Sequence, residues 1–232
     1  YKVNLIDYKL VNDNNFNKTY KKNKNKFIEY ESLGDRKKLF MRSIERFFLL
    51  YNLMKNNNLN DCLFLELDNL IYDNPENWLK ILNNYNVALM YDNKNRISSG
   101  IMFVKDFTKL EVLIKYYLVY IKKKDSSPNE MRANYYFYKK NKDYFHFLPI
   151  HWIDETKPNI SWKNYELYDS IFDAAAIGVF LFGNDLIHTN GRLVKGKHNK
   201  WSKINYTKYK FIWKKDDEGR KRPYIIHKGK NI

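Results

Sequence analysis

The chain has 232 residues, with 42 Lys and Arg against 26 Asp and Glu, a formal excess of +16. A chain of this length can bury roughly 70% of the surface its unfolded form exposes, so its core needs no disulfide or metal staple. Apolar residues at 44% and aromatics at 17% exclude a disordered tail, and the single Cys62 excludes an internal disulfide framework and fits a reducing compartment such as the cytoplasm.

The longest apolar run, Ala174 to Phe182, is too short to span a bilayer as a helix, so no transmembrane segment is expected. The basic excess is mostly Lys, and it travels with abundant Asn, Ile, Tyr and Phe. All five have A/T-rich codons, so a genome of low GC content produces this bias without selection for binding. Arg, the usual reader of bases and phosphates, is scarce. A solvated Lys-rich surface is therefore expected, with no specific nucleic-acid site. A small diphosphate substrate is also an anion and suits the same positive potential.

In chain order, Val3 to Asp7 reads as a short strand and Asn12 to Lys26, rich in Asn and Lys, as a long surface loop. From Asp35 to Lys55, Leu39, Phe40, Ile44, Phe47, Phe48, Tyr51 and Met54 recur at three- and four-residue spacing, which predicts an amphipathic helix capped by Asp35. Cys62 to Leu67 is a continuous apolar run, the pattern of a strand covered on both faces. Pro75 opens a short helix through Leu82. Val87–Tyr91 and Ser99–Lys105 read as strands separated by a polar loop, and Phe107–Lys123 and Asn129–Lys139 as helices. Phe147–Ile150 is a short strand, Phe172–Phe182 an Ala-rich helix ending at Gly183, and Phe211–Lys214 and Tyr224–His227 are edge strands. Helices alternating with a buried strand predict an α/β class.

The most informative stretch is Leu63-Phe64-Leu65-Glu66-Leu67-Asp68-Asn69. Residues i and i+2 of a strand point the same way, so Glu66 and Asp68 face one side where the apolar run ends. Two acids there repel one another and are costly to bury without a compensating cation or donors. A divalent metal completed by substrate phosphates resolves both problems, and Mg²⁺ or Mn²⁺ suits oxygen ligands. Pairing with Lys, or capping the next helix, is the plainer alternative.

With these residues the chain resembles nucleotide-sugar glycosyltransferases of the GT-A fold, in which an Arg-bearing helix precedes an apolar strand ending in an Asp-x-Asp motif. Here the helix supplies Ser43-Ile44-Glu45-Arg46-Phe47-Phe48 and the strand ends Glu66-Leu67-Asp68. The resemblance implies a single α/β, Rossmann-like domain over residues 1–232 with a mixed central sheet flanked by helices, trimmed at one or both ends, since little room precedes Asp35 for a nucleobase-binding unit. It implies Asp68 as ligand of Mn²⁺ or Mg²⁺, with Glu66 on the metal or ribose and Arg46 assisting at the diphosphate. Ser98-Ser99-Gly100-Ile101-Met102-Phe103 resembles the small-residue strand on which sugar and phosphate lie, placing Ser99 and Gly100 against the donor. Phe172-Asp173-Ala174-Ala175-Ala176-Ile177-Gly178, followed by Phe182-Gly183-Asn184-Asp185 and His188, resembles the helix and loop that close the donor site. Asp173 is then a candidate acid on the sugar or acceptor, with helix capping as its plainer role; His188 is a donor contact.

Glu130, at a helix start, reads as a surface cap or as an alternative active-site acid. The five His show no zinc spacing, and Trp78, Trp152, Trp162 and Trp201 default to core or rim packing. The expected function is metal-dependent transfer of a sugar from a nucleotide-diphosphate sugar to a sugar, glycan or protein hydroxyl. Two readings compete with it: a non-enzymatic binder of nucleic acid or another polyanion, which requires basic and aromatic residues interleaved on one face, and a glycosyltransferase-like domain that has lost activity.

Overall fold

The computed structural model describes residues 5–27, 38–67, 69–123, 128–174, 176–182, 196–199 and 202–232. Of the first expected strand, Val3 and Asn4 lie outside the described residues, and Leu5–Asp7 form no strand. The presumed surface loop is instead a helix, α1 (Asn14–Lys22). Asp13 caps it by accepting from the Phe16 amide at 2.7 Å. Phe16 is only 1% exposed and stacks its ring 4.8 Å from that of Phe48. The Asn/Lys-rich face of α1 is solvated; the helix is held by Phe16 and Tyr20, an i,i+4 pair on its other face.

Helix α2 (Leu39–Asn56) buries Met41, Ile44, Phe47, Phe48, Tyr51 and Met54, as the spacing predicts; its expected cap, Asp35, lies outside the described residues. Strand β1 (Cys62–Leu65) is half-buried rather than covered on both faces, because it forms an edge of the sheet. Helix α3 (Pro75–Leu82) starts at Pro75 with the Asn74 side chain as cap. Strands β2 (Val87–Asn93) and β3 (Arg96–Val104) form one hairpin with Lys94 and Asn95 at its turn, longer than the two short strands expected. Helices α4 (Phe107–Lys123) and α5 (Glu130–Lys140) follow, then β4 (Phe145–Leu148).

The four strands make one mixed sheet in the order β1-β3-β2-β4. Strand β3 runs antiparallel to β1 and β2, and β4 runs parallel to β2. The carboxyl ends of β1, β2 and β4 and the amino end of β3 therefore share one end of the sheet. One face packs on α1, α2, α4 and α5 through Phe47, Leu89, Tyr91, Met102, Leu113 and Tyr117. The other carries Trp78, Ala88, Met90, Phe103, Trp152 and Tyr168. This is a mixed α/β architecture. Ala88 pairs with Phe103 but Met90 pairs with Ser98, so β3 bulges opposite Leu89. The bulge breaks the in–out alternation of β3: Ile97 and Met102 reach the same face although their parities differ.

On the second face, α6 (Tyr165–Tyr168) and α7 (Ile177–Phe182) are short; the long Ala-rich helix expected from Phe172 shrinks to α7 because Asp173 starts a cap there, and Ala175 and Gly183 lie outside the described residues. The two strands expected at sheet edges form a separate antiparallel sheet, β5 (Lys210–Lys215), β6 (Lys221–His227) and β7 (Lys230–Asn231), in that order. It packs on this face through Ile225 and through Phe211, whose ring lies 5.3 Å from that of Phe180. Among the described residues no helix is long and apolar enough to cross a membrane.

Truncating Phe16 should open a cavity between α1 and α2. Phe16→Ala is expected to cost about 3–4 kcal/mol in urea denaturation; a surface loop at this position would leave the midpoint unchanged.

Candidate functional site

At the shared end of the sheet, β1 alternation puts Cys62 and Phe64 on the α2 face and Leu63 and Leu65 on the other. Glu66 continues the ladder, its amide donating to Gly100 O at 2.9 Å, and its side chain falls on the α2 side. There the Arg46 guanidinium from α2 meets it: Nη1 donates to Glu66 Oε1. Nη2 reaches Ser99 Oγ at 3.3 Å and Glu130 Oε1 at 3.5 Å. The guanidinium carbon also sits 5.0 Å from the Phe47 ring centre and 5.4 Å from that of Phe64, a cation over two aromatic faces. A planar fork serves three partners at once, which an ammonium could not do with the same geometry.

Gly100 is needed in this arrangement. A Cβ placed there would stand 3.2 Å from Glu66 Oε2, so the small residue lets the carboxylate lie against the β3 backbone. Asn69 fixes the turn that leaves β1, its Nδ2 donating to Glu66 O at 3.0 Å and Gly100 O at 2.9 Å. Five residues singled out from the sequence, Arg46, Glu66, Ser99, Gly100 and Glu130, are thus one cluster. Glu130 is not a surface cap: it is 7% exposed, and the cap of α5 is Asn129, which accepts from the Arg132 amide at 3.2 Å. Beneath the cluster, Tyr117 Oη donates to Asn134 Oδ1, and Asn134 Nδ2 donates to Ile97 O at 3.2 Å. Burial, reinforced by the nearby Glu130 charge, pushes the Tyr117 phenol far up, so it stays a neutral donor.

Asp68 and His188 lie outside the described residues, as do Asn184 and Asp185. The donors present do not by themselves make a metal centre. Arg46 already satisfies Glu66 Oε1, and among the described residues no group of three His, Cys, Asp or Glu is placed to share an ion. His146 and His151 are buried neutral histidines, each pushed down to about 4 chiefly by burial, and are tied to Tyr168 Oη and to Trp152 O and Tyr209 Oη. Trp78 and Trp152 are buried in the second core.

Asp173 stands on the other face of the sheet and acts as a cap. Its Oδ1 accepts from the amides of Ala176 at 2.7 Å and Ile177 at 2.9 Å, and its Oδ2 from that of Gly178 at 2.7 Å. Near it is an acid that sequence reasoning passed over, Asp92 at the end of β2. Asp92 is 2% exposed; Asn93 Nδ2 donates to its Oδ2 at 3.0 Å, Arg96 Nε lies 3.6 Å away, and its Oδ1 has no hydrogen-bond partner among the described residues. Burial pushes its carboxyl up to about 7; Arg96 opposes the shift and the Asp173 charge adds to it. The signal was present: Asp92 ends the apolar run Val87–Tyr91 as Glu66 ends that of β1.

Compared with protein-family models, with curated proteins and with solved structures, the chain matches none.

Two outcomes follow from the acids. Folding raises the Asp92 value above the ordinary 3.8, so the folded chain holds a proton that the unfolded chain releases. The resulting stability is fully present below about pH 4 and is lost as pH rises through 7. Asp92→Asn should therefore gain about 1–3 kcal/mol on the parent between pH 4.5 and pH 8, as read from paired urea titrations. Asn at position 173 can accept the two amides that Oδ1 holds, but its NH₂ faces the Gly178 N–H as a second donor. Asp173→Asn is expected to cost about 1 kcal/mol, a few degrees in a melting scan, rather than to cap as well as Asp.

Proposed function

We propose that the chain transfers a sugar from a nucleotide-diphosphate sugar to an acceptor hydroxyl, with Mn²⁺ or Mg²⁺ entering alongside the donor at Asp68. The observation that carries the reading is the convergence of Arg46, Glu66, Ser99, Gly100 and Glu130 at the end of the sheet shared by the carboxyl ends of β1, β2 and β4 and the amino half of β3, the kind of strand end at which open α/β sheets bind ligands. The GT-A resemblance supplies the expected reaction, and the cluster supports it by assembling residues drawn from separate stretches of the motif.

Charge supports the link between metal and donor. Arg46, Glu66 and Glu130 together carry −1, and Asp68 follows two residues after Glu66. A diphosphate would be repelled from such a set unless a divalent cation came with it. The cation's chemistry, when bound, is neutralisation of the leaving diphosphate. The chain's own residues do the rest. Arg46 is held in one orientation by Glu66, Ser99 and Glu130, so a donor oxygen meets a preorganised guanidinium. Glu130 acts as a positioning residue through Arg46. The bare backbone at Gly100 leaves room for the donor beside Glu66. Asp173, with both oxygens on backbone amides, shapes the start of α7 in this proposal and is not its proton acceptor.

Calorimetry with uridine and guanosine diphosphates, each with and without Mn²⁺, tests the reading. At least one nucleotide should bind tenfold or more tightly with the metal. Asp68→Asn should lose that gain, while Glu66→Gln, which keeps an acceptor for Arg46, should weaken it less. Equal affinity with and without metal for every nucleotide would refute the assignment.

A further inference from the structure

Residues 196–232 hold twelve Lys and Arg against three acids, so nine of the sixteen excess positive charges fall in this last segment. Three of the twelve cations, Lys210, Lys214 and Arg222, stand on one face of the second sheet. Register across β5 and β6 sorts the side chains into two faces. Phe211 and Ile225, which are cross-strand partners, face the second core. The outward face presents Lys210, Ile212 and Lys214 from β5 and Arg222, Tyr224 and Ile226 from β6, in the rows Lys210–Ile226, Ile212–Tyr224 and Lys214–Arg222. Ile212, Tyr224 and Ile226 are half-buried and belong to neither core cluster of the described residues. An apolar, aromatic row thus lies between cations about 13 Å apart along β5.

Lys214 stands directly across from Arg222, a like-charge cross-strand pair that the Arg222–Asp216 ion pair offsets. Lys on an edge strand guards against strand-to-strand aggregation, which accounts for Lys210 and Lys214. It does not account for Tyr224, because β6 is the central strand of its sheet. The three acids of the segment, Asp216, Asp217 and Glu218, are confined to the β5–β6 turn, where Asp216 receives Arg220 Nε at 2.9 Å and also Arg222 Nε. With Arg222 bonded to Asp216, the excess charge of the face comes from Lys210 and Lys214.

We propose that this outward face binds single-stranded nucleic acid without sequence preference, phosphates against Lys210, Lys214 and Arg222 and a base stacked on Tyr224. Cations that track a backbone beside an aromatic platform are the arrangement single strands need, since every base has a π-face. A duplex keeps its bases stacked on one another and offers none to Tyr224. An anionic bilayer calls for protruding apolar side chains, whereas Ile212 and Ile226 are half-buried between cations. The proposal is independent of the transferase reading, and its surface lies on a different sheet from Arg46 and Glu66.

The test is fluorescence anisotropy of labelled 15-mers of thymidylate and uridylate with the full chain between 50 and 200 mM KCl. Both should bind at micromolar Kd in the lowest salt, and log K should fall against log salt with a slope near −2, about 0.7 for each of three phosphates. The double variant Lys210→Glu with Lys214→Glu, at two exposed positions, should bind at least tenfold more weakly with an unchanged melting temperature. Tyr224→Leu keeps an apolar side chain on the sheet and removes the ring; it should bind at least fivefold more weakly. Wild-type affinity in either variant would overturn the proposal, as would a 15-base-pair duplex binding as tightly as the single strand. Capture by phosphatidylserine vesicles without oligonucleotide binding would assign the face to membranes instead.

Discussion

The cluster at the carboxyl end of β1 is arranged around one guanidinium. Arg46 leaves α2 between two phenyl rings and finds Glu66 from β1, Ser99 from β3 and Glu130 from α5. Four elements are thereby fixed relative to one another by a single planar group. A half-buried cation of this kind must be matched, and so must each acid, because an uncompensated charge in such a place costs more than the pair contributes. The small residues at the start of β3 are part of the same constraint. The bulge opposite Leu89 and the missing side chain at Gly100 bring strand backbone and carboxylate close enough for Arg46 to span them.

Charge is segregated in the molecule. The Arg46 cluster carries a net negative charge, and Asp92 and Asp173 lie on the opposite face of the sheet. More than half of the positive excess, nine of sixteen charges, falls in the last 37 residues of the chain. A protein that is strongly basic as a whole therefore has a locally acidic sheet end, and its total charge says little about what that end attracts. Asp92 limits the acidity by keeping a proton near neutral pH, because desolvation outweighs the help it receives from Arg96.

Much of this was legible in residue order, and the failures have physical causes. Period-3.6 stripes gave α2 and α4 because both helices bury one broad apolar face. The acid at the end of β1 gave Glu66, and the preceding helix gave Arg46. Helix α1 was missed because only Phe16 and Tyr20 anchor it, too few apolar positions to form a stripe. Strand β1 was read as buried because an edge strand that is half-covered on both faces has the same apolar run as a central one. Glu130 was undervalued because burial of an acid at a helix start depends on a partner 84 residues away in sequence, which no local pattern reveals. Asp173 could be read two ways from sequence because an acid before small residues is what a cap needs, and the capping bonds are what the fold shows.

The direction of β3 divides the sheet into two unequal ends. At the far end, Asp61 N bonds Lys105 O at 2.7 Å, Lys105 N bonds Asn86 O at 2.9 Å, and Lys105 Nζ meets Asp61 at 2.8 Å. Three connections are sewn together there by main-chain bonds, and an inserted residue would break a stitch. The site end carries the long passage from Glu66 to Pro75 and the exposed side chains of Leu67 and Leu70. Added length, an affinity handle or a grafted loop is therefore best tolerated on the side where the chemistry is proposed to occur, away from the bonds that tie the far end together.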